Sequence, residues 1–143
     1  MRGFDGHKRV KGRERHVLVD TLGPPIADRV EPANVSDRRA GARLPAGLAP
    51  LGPGIRAVVA DAGHESRGLE RELERRDGWR LIVVKRRERA FRVVGPTWIV
   101  ECTFAWLGRN RRLGKGCGCR AQTSEAMVDV AAIRLMLNRL APA

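Results

Sequence analysis

One stretch, residues 97–112, constrains this chain most: T-W-I-V-E-C-T-F-A-W-L-G-R-N-R-R. It places a single carboxylate, Glu101, in an apolar run of helical character and then ends in a cluster of arginines. Burying an unpaired charge is costly, so the acid must either face solvent or meet a partner. For an arbitrary protein, a helix whose glutamate faces solvent is the commoner of the two.

A second acid makes the alternative specific. Asp61 directly follows the short apolar run A-V-V-A at residues 57–60, which has the composition of a buried strand. An aspartate at the C-terminal end of a strand, facing a glutamate on a later helix, can hold a divalent metal ion for phosphoryl transfer. The sequence therefore predicts Asp61 and Glu101 as catalytic residues and metal ligands.

Charge narrows the class of partner. The 143 residues suit one domain, and 28 Lys and Arg against 16 Asp and Glu give a formal charge of +12. Such a balance favours a polyanion, nucleic acid first and an anionic membrane surface second. No run approaches the roughly 20 apolar residues of a membrane span, which favours nucleic acid. Three cysteines do not suggest a secreted disulfide framework, so we expect a cytoplasmic, nucleoid-associated protein.

Local patterns predict alternating strands and helices. Residues 1–14 are basic and glycine-rich, and we expect a loop or a flexible arm. Two extended runs joined by T-L-G-P-P predict a hairpin. The remaining predictions are a short helix over 38–48, a strand over 55–60, a helix over 67–76 with Leu69 and Leu73 on one face, a strand over 79–84, and the helix of Glu101.

The last predicted helix covers residues 125–140, and Thr123 or Ser124 would cap it. Four apolar residues at helical spacing predict its packing face: Val130, Ile133, Leu137 and Leu140.

Two basic clusters are candidates for contact with DNA. Lys85, Arg86 and Arg87 open a basic burst after the strand over 79–84, where a solvated loop is an equally good reading of the cluster alone. Beside a metal site the same residues would contact the phosphate backbone. Arg109, Arg111 and Arg112 follow the Glu101 helix and would lie near DNA held over it. On that helix, Glu101 shares a face with Thr97, Ala105 and Gly108, whereas Trp98, Cys102 and Trp106 are expected to be core.

The chain resembles the DDE transposases of bacterial insertion sequences, in the insertion-sequence-five group. Four blocks carry the resemblance: K-G-R-E-R-H-V-L-V-D-T-L-G at 11–23, P-A-N-V-S-D-R at 32–38, A-D-A-G-H at 60–64 and W-I-V-E-C-T-F-A-W-L-G-R-N-R-R-L at 98–113. The closing residues 124–140 also fit. His64 stands where the family usually has tyrosine, and Cys102 stands where arginine is usual.

The resemblance implies an α/β, RNase H-like mixed sheet flanked by helices. It also implies three acids that hold two Mg²⁺ ions, of which Asp61 and Glu101 match the second and third. The first acid belongs to a central strand that would precede Gly3, so we expect an incomplete catalytic domain over 15–140 behind a basic arm over 1–14.

The implied partners are DNA, as transposon ends and target, and a second copy or a full-length transposase; no membrane is implied. We expect a transposase that does not cut DNA by itself. The alternative is a non-catalytic DNA-binding or inhibitory remnant.

Overall fold

A computed structural model describes residues 2–6, 9–44, 48, 52, 54–85, 96–114 and 120–141. These residues form two compact units, one from 1–35 and 99–143 and the other from 36–98. The first unit contains an antiparallel sheet and helices, and the second contains a parallel strand pair and helices. The predicted α/β class is confirmed, and the RNase H-like arrangement stays a prediction.

The sheet of the first unit has three strands in the order β1-β2-β3. They are β1 (Gly3–Asp5), β2 (Val10–Val19) and β3 (Pro25–Pro32). Strands β2 and β3 pair antiparallel, with Arg15 opposite Val30, so the predicted hairpin is confirmed. Its turn depends on Gly23, whose φ of +98° lies in the left-handed region that favours glycine. The Asp20 carboxylate also accepts a hydrogen bond from the Leu22 N–H at 2.7 Å.

The loop predicted over residues 1–14 is wrong where β1 and the first half of β2 lie. Strand β1 pairs with residues 10–12 of β2, and β3 pairs with the residues that follow. The charged, glycine-containing run has no alternating apolar pattern, so backbone pairing to two neighbours specifies this strand. Strand β2 also runs across residue 14, where we placed a boundary. The partial domain over 15–140 stays a prediction.

Three helices follow in the last part of the chain: α3 (Thr97–Gly108), α4 (Arg111–Gly114) and α5 (Ala121–Leu140). In the first unit, Leu107, Leu113 and Val128 form a buried cluster from all three helices. Helix α5 also packs on β3, where the Glu125 carboxylate accepts a hydrogen bond from the Val30 N–H at 2.8 Å.

The turn between β2 and β3 is a docking point for α3 and α5. Thr103 on α3 donates its hydroxyl hydrogen to the Gly23 carbonyl at 2.7 Å. A Cβ at Gly23 would lie 2.8 Å from the Trp106 ring, so only glycine permits this approach. From α5, the Arg139 guanidinium stacks 5.0 Å above the Trp106 ring and donates to the Leu22 carbonyl at 2.9 Å.

Helix α5 differs from its prediction at its start and in its buried face. It begins at Ala121 after Arg120, so the predicted cap at Thr123 or Ser124 is wrong. Its buried residues are Ser124, Val128 and Ala132. The predicted packing residues are exposed instead: Val130 by 60%, Ile133 by 52%, Leu137 by 58% and Leu140 by 82%. Apolar residues recur at helical spacing on two faces, and tertiary contacts select between them.

The second unit is a strand, helix, strand arrangement, as predicted. Strands β4 (Ala57–Asp61) and β5 (Arg80–Val84) pair in parallel, and the connection between them contains α2 (Arg67–Asp77). Ser66 caps α2 by accepting from the Leu69 N–H at 3.4 Å, and Gly78 ends the helix at a φ of +69°. Leu69, Leu73 and Trp79 form the buried core of this unit.

Helix α1 (Asp37–Arg43) is shorter than the helix predicted over 38–48. It ends at Arg43, and Pro45, which lacks the N–H that a continuing helix would need, follows two residues later. Residues 45–47 lie outside the described part of the chain.

Within the described ranges, no helix combines the length and the apolar character that crossing a bilayer requires.

Candidate metal and DNA-binding site

Asp61 is the last residue of β4 and the cap of the short 3-10 turn Ala62–His64. Its Oδ1 accepts a hydrogen bond from the Gly63 N–H at 3.1 Å and lies 2.8 Å from Nδ1 of His64. The side chain is 69% exposed. Both of these contacts involve Oδ1, and the second carboxylate oxygen, Oδ2, accepts no hydrogen bond within the described part of the chain, so it is the oxygen available to a cation.

A second acid of the same unit lies beside Asp61. Asp37, the first residue of α1, has its Oδ2 2.8 Å from the point that a Cβ at Gly63 would occupy. Oδ1 of Asp61 lies 3.2 Å from that point, so the two carboxylates flank Gly63 closely. Sequence reasoning missed this neighbour, because residues 32–38 were used only for their resemblance and as the start of a helix. The packing of α1 against the 3-10 turn brings Asp37 to this position.

Sequence reasoning also missed the contact of His64 with Asp61. An ionised carboxylate only accepts hydrogen bonds, so in the tautomer that makes this contact Nδ1 of His64 is the donor. On its other side the His64 ring packs against α1, where a Cβ at Gly41 would lie 2.8 Å from the ring carbon Cδ2. The sequence did contain a signal for this contact, because Asp61 and His64 are three residues apart in a tight turn. This spacing places their side chains on one side of the turn.

Glu101 lies in the middle of α3 and is exposed, as are Ala105 and Gly108 on the same face. A Cβ at Gly108 would meet no atom within 4 Å among the described residues. Of the residues predicted to share this face, Ala105 and Gly108 are thus exposed, whereas Thr97 is half-buried.

The core face predicted for α3 is wrong at one residue. Trp98 is 44% exposed, whereas Cys102 and Trp106 are half-buried. The fully buried residues of α3 are Thr103 and Leu107, because this side of the helix faces the β2–β3 turn and the Val128 cluster.

The two predicted metal ligands lie in different units of the described chain, Asp61 in the second and Glu101 in the first. Their pairing at one metal site stays a prediction.

The predicted DNA contacts divide into three groups. Lys85 is exposed and forms an ion pair with Glu65, with 2.6 Å between Nζ and Oε1. Arg86 and Arg87 lie outside the described residues. Arg109, Arg111 and Arg112 are exposed where α3 gives way to α4. Their side chains are accessible to phosphate groups, and their role stays a prediction.

The acids have the chemistry of a site for a hard divalent cation. Such ions take oxygen ligands, and Mg²⁺ is bound by one or two carboxylates together with phosphates and water. Within the second unit, Asp61 offers an exposed carboxylate and Asp37 adds a neighbouring negative charge. The donor set therefore fits the metal that the resemblance implies.

Comparison with known proteins decides the family. The family model described as transposase DDE domain matches residues 1–137. The chain belongs to this family of DDE transposases. It is also 30% identical over 138 residues to a Burkholderia cepacia protein named "Putative transposase for insertion sequence element IS402".

That match covers 90% of this DDE transposase chain and 64% of the Burkholderia cepacia protein. The chain thus spans somewhat less than two thirds of the length of this relative. No solved structure gives a significant match to the chain.

Proposed function

We propose that this chain acts in the transposition of an insertion sequence, by metal-dependent cleavage and joining of DNA strands. The observation that carries the proposal is the exposed Asp61 carboxylate at the C-terminal end of β4, in a chain that the DDE transposase family model matches. The Burkholderia cepacia relative, whose name assigns it to an insertion sequence, supports the same substrate class.

In this proposal Asp61 and Glu101 hold Mg²⁺ within an RNase H-like arrangement. The bound metal would activate the attacking oxygen and stabilise the charge that develops on the phosphate. The chain itself supplies the ligand oxygens and a basic surface. Arg109, Arg111 and Arg112, together with Lys85, Arg86 and Arg87, would bind the DNA backbone and position it over the acids without reading its sequence.

The test is nicking of supercoiled plasmid DNA in Mg²⁺ by this chain joined to the strand and first acid that the resemblance implies, with a chelator as the blank. If the proposal holds, Asp61→Asn and Glu101→Gln each lower nicking at least about 100-fold, because each removes a charged ligand of the metal. Binding of DNA should stay within about threefold of the wild type, since phosphate contacts come from the basic residues. Glu70→Gln on α2 is the matched control, because Glu70 is exposed and lies outside the site.

A second function is binding of DNA without cutting. The formal charge of +12 and the exposed arginines after α3 favour it, because neither depends on the acids. A chain that carries the first strand and its acid and binds DNA without ever nicking it would establish this alternative. If either acid variant cut DNA at the wild-type rate, the assignment of that acid would be wrong.

A further inference from the structure

The Asp61 carboxylate is fixed through one of its oxygens. Oδ1 receives the Gly63 N–H at 3.1 Å and the His64 Nδ1 at 2.8 Å, whereas the side chain as a whole is 69% exposed. An exposed aspartate would otherwise rotate freely about its side-chain torsions. Two donors on one oxygen restrain the carboxylate, and among the described residues Oδ2 has no hydrogen-bond donor.

We propose that His64 is a positioning residue, which orients Asp61 so that Oδ2 is held ready to bind the divalent metal. The inference rests on the proposed function of Asp61 as a metal ligand. Carboxylates that ligate metals are commonly oriented by hydrogen bonds from neighbouring groups that do not themselves bind the metal. Loss of such a partner typically costs about 10–100-fold in metal affinity. Neither the family model nor the relative assigns this role to His64.

The surroundings of His64 make it suitable for this task. Its side chain is 25% exposed, and its ring lies against Gly41 on α1, where a Cβ would approach Cδ2 to 2.8 Å. The ring is therefore held between α1 and Asp61. Any side chain at position 41 would displace the His64 ring and, through it, the Asp61 carboxylate.

A purely structural role, in which His64 only ties the turn after β4 to α1, makes different predictions. If His64 had only this role, its replacement would lower the stability of the fold. A hydrogen-bond donor placed at the same point would then make little difference to the metal affinity. A positioning role requires the hydrogen bond itself, so an amide that donates from the Nδ1 position should restore what a ring without a donor cannot.

The first experiment measures Mn²⁺ affinity of the purified full chain by electron paramagnetic resonance, with thermal unfolding recorded for every variant. His64→Phe keeps the ring and removes the donor, and we expect Mn²⁺ affinity to fall about 10-fold. His64→Asn keeps a donor near the Nδ1 position and should stay within about threefold of the wild type.

Gly41→Ala, which displaces the ring without changing it, should weaken Mn²⁺ binding although alanine favours the helix. Asp61→Asn should remove the site, and Glu70→Gln should leave it unchanged.

The second experiment detects the hydrogen on Nδ1 of His64 directly. In ¹⁵N NMR spectra of the histidine ring, we expect His64 to show a protonated Nδ1 hydrogen-bonded to Asp61, and Asp61→Asn to change that signal.

The outcomes separate the two claims. If Asp61→Asn binds Mn²⁺ as the wild type does, the proposed function of Asp61 fails. If Asp61→Asn loses Mn²⁺ while His64→Phe keeps it, or if His64→Asn is as weak as His64→Phe, the positioning role is overturned and the metal site stands.

Discussion

At the scale of single residues, the carboxylate of Asp28 on β3 is the most perturbed acid of the described chain. Its Oδ2 is buried and has no hydrogen-bond partner among the described residues. The pKa of Asp28 is raised to about 7, chiefly by burial; repulsion from Asp129 and Glu125 on α5 contributes to the increase, and Arg15 on β2 opposes it. We therefore expect the packing of β3 against α5 to depend on pH.

The raised pKa predicts that the fold loses stability as pH rises. The ordinary pKa of 3.8 applies to the unfolded chain, so the folded state binds the proton more tightly. This contribution is complete below 3.8 and is lost as pH rises through about 7. Over this pH range the unfolding free energy of the wild type should fall by about 1–2 kcal/mol, a value reduced for the partial exposure of the group. The unfolding free energy of Asp28→Asn should not show this fall. Urea unfolding at about pH 4 and about pH 8 measures it.

Asp20→Asn, in the exposed turn after β2, is the control for that comparison. Parallel pH profiles of wild type and Asp28→Asn would contradict the assignment of the shift to Asp28.

At the scale of elements, α5 carries two apolar faces and buries only one. Val128 is 1% exposed and packs with Leu107 and Leu113, whereas Val130, two residues later, is 60% exposed. Residues two positions apart lie on opposite sides of a helix. Val128 and Val130 therefore place the same type of side chain on the buried face and on the exposed face.

This pair gives a matched test of which face packs. Val128→Ala should lower the unfolding free energy by about 2 kcal/mol, from two lost methyl groups and the cavity they leave. Val130→Ala should change it by less than about 0.5 kcal/mol. Chemical denaturation of both variants in the same buffer measures the difference. Equal losses would mean that the second face also packs in solution.

At the scale of the whole molecule, the charge of +12 predicts DNA binding that weakens steeply with salt. Any strongly basic protein shows such a dependence, so salt sensitivity alone does not locate the surface. Two sets of three exposed arginines allow a fair comparison. Arg109, Arg111 and Arg112 follow α3, and Arg67, Arg71 and Arg75 line α2 at intervals of one helical turn.

Replacing either set with alanine removes the same net charge. We expect the triple variant at 109, 111 and 112 to reduce the slope of log K against log salt by about 2–3, because each phosphate contact contributes about 0.9. The triple variant on α2 should reduce it by less than about 1. Fluorescence anisotropy with duplex DNA over a range of salt concentrations measures both slopes. Equal reductions would show that neither surface is the preferred one.

The sequence alone determined much of the local structure and the family. Two extended runs joined by T-L-G-P-P predicted the β2–β3 hairpin, and the spacing of Leu69 and Leu73 predicted the buried face of α2. Glycine, proline and capping residues act on their own neighbourhood, so these signals need no knowledge of distant contacts. The motifs around Asp61 and Glu101 predicted the DDE transposase family, which the family match confirms.

Tertiary structure decided whatever depended on residues far apart in the chain. Periodicity offered two faces for α5, and contacts with α3 and α4 selected the one that contains Val128. Pairing with β1 over residues 10–12 and with β3 from Arg13 onward made a strand of the charged residues before Arg15, although they lack an apolar pattern. The packing of α1 placed Asp37 and the His64 ring beside Asp61. Local spacing fixes which side chains share a face, but only the folded chain fixes what that face meets, because burial is a property of long-range contacts.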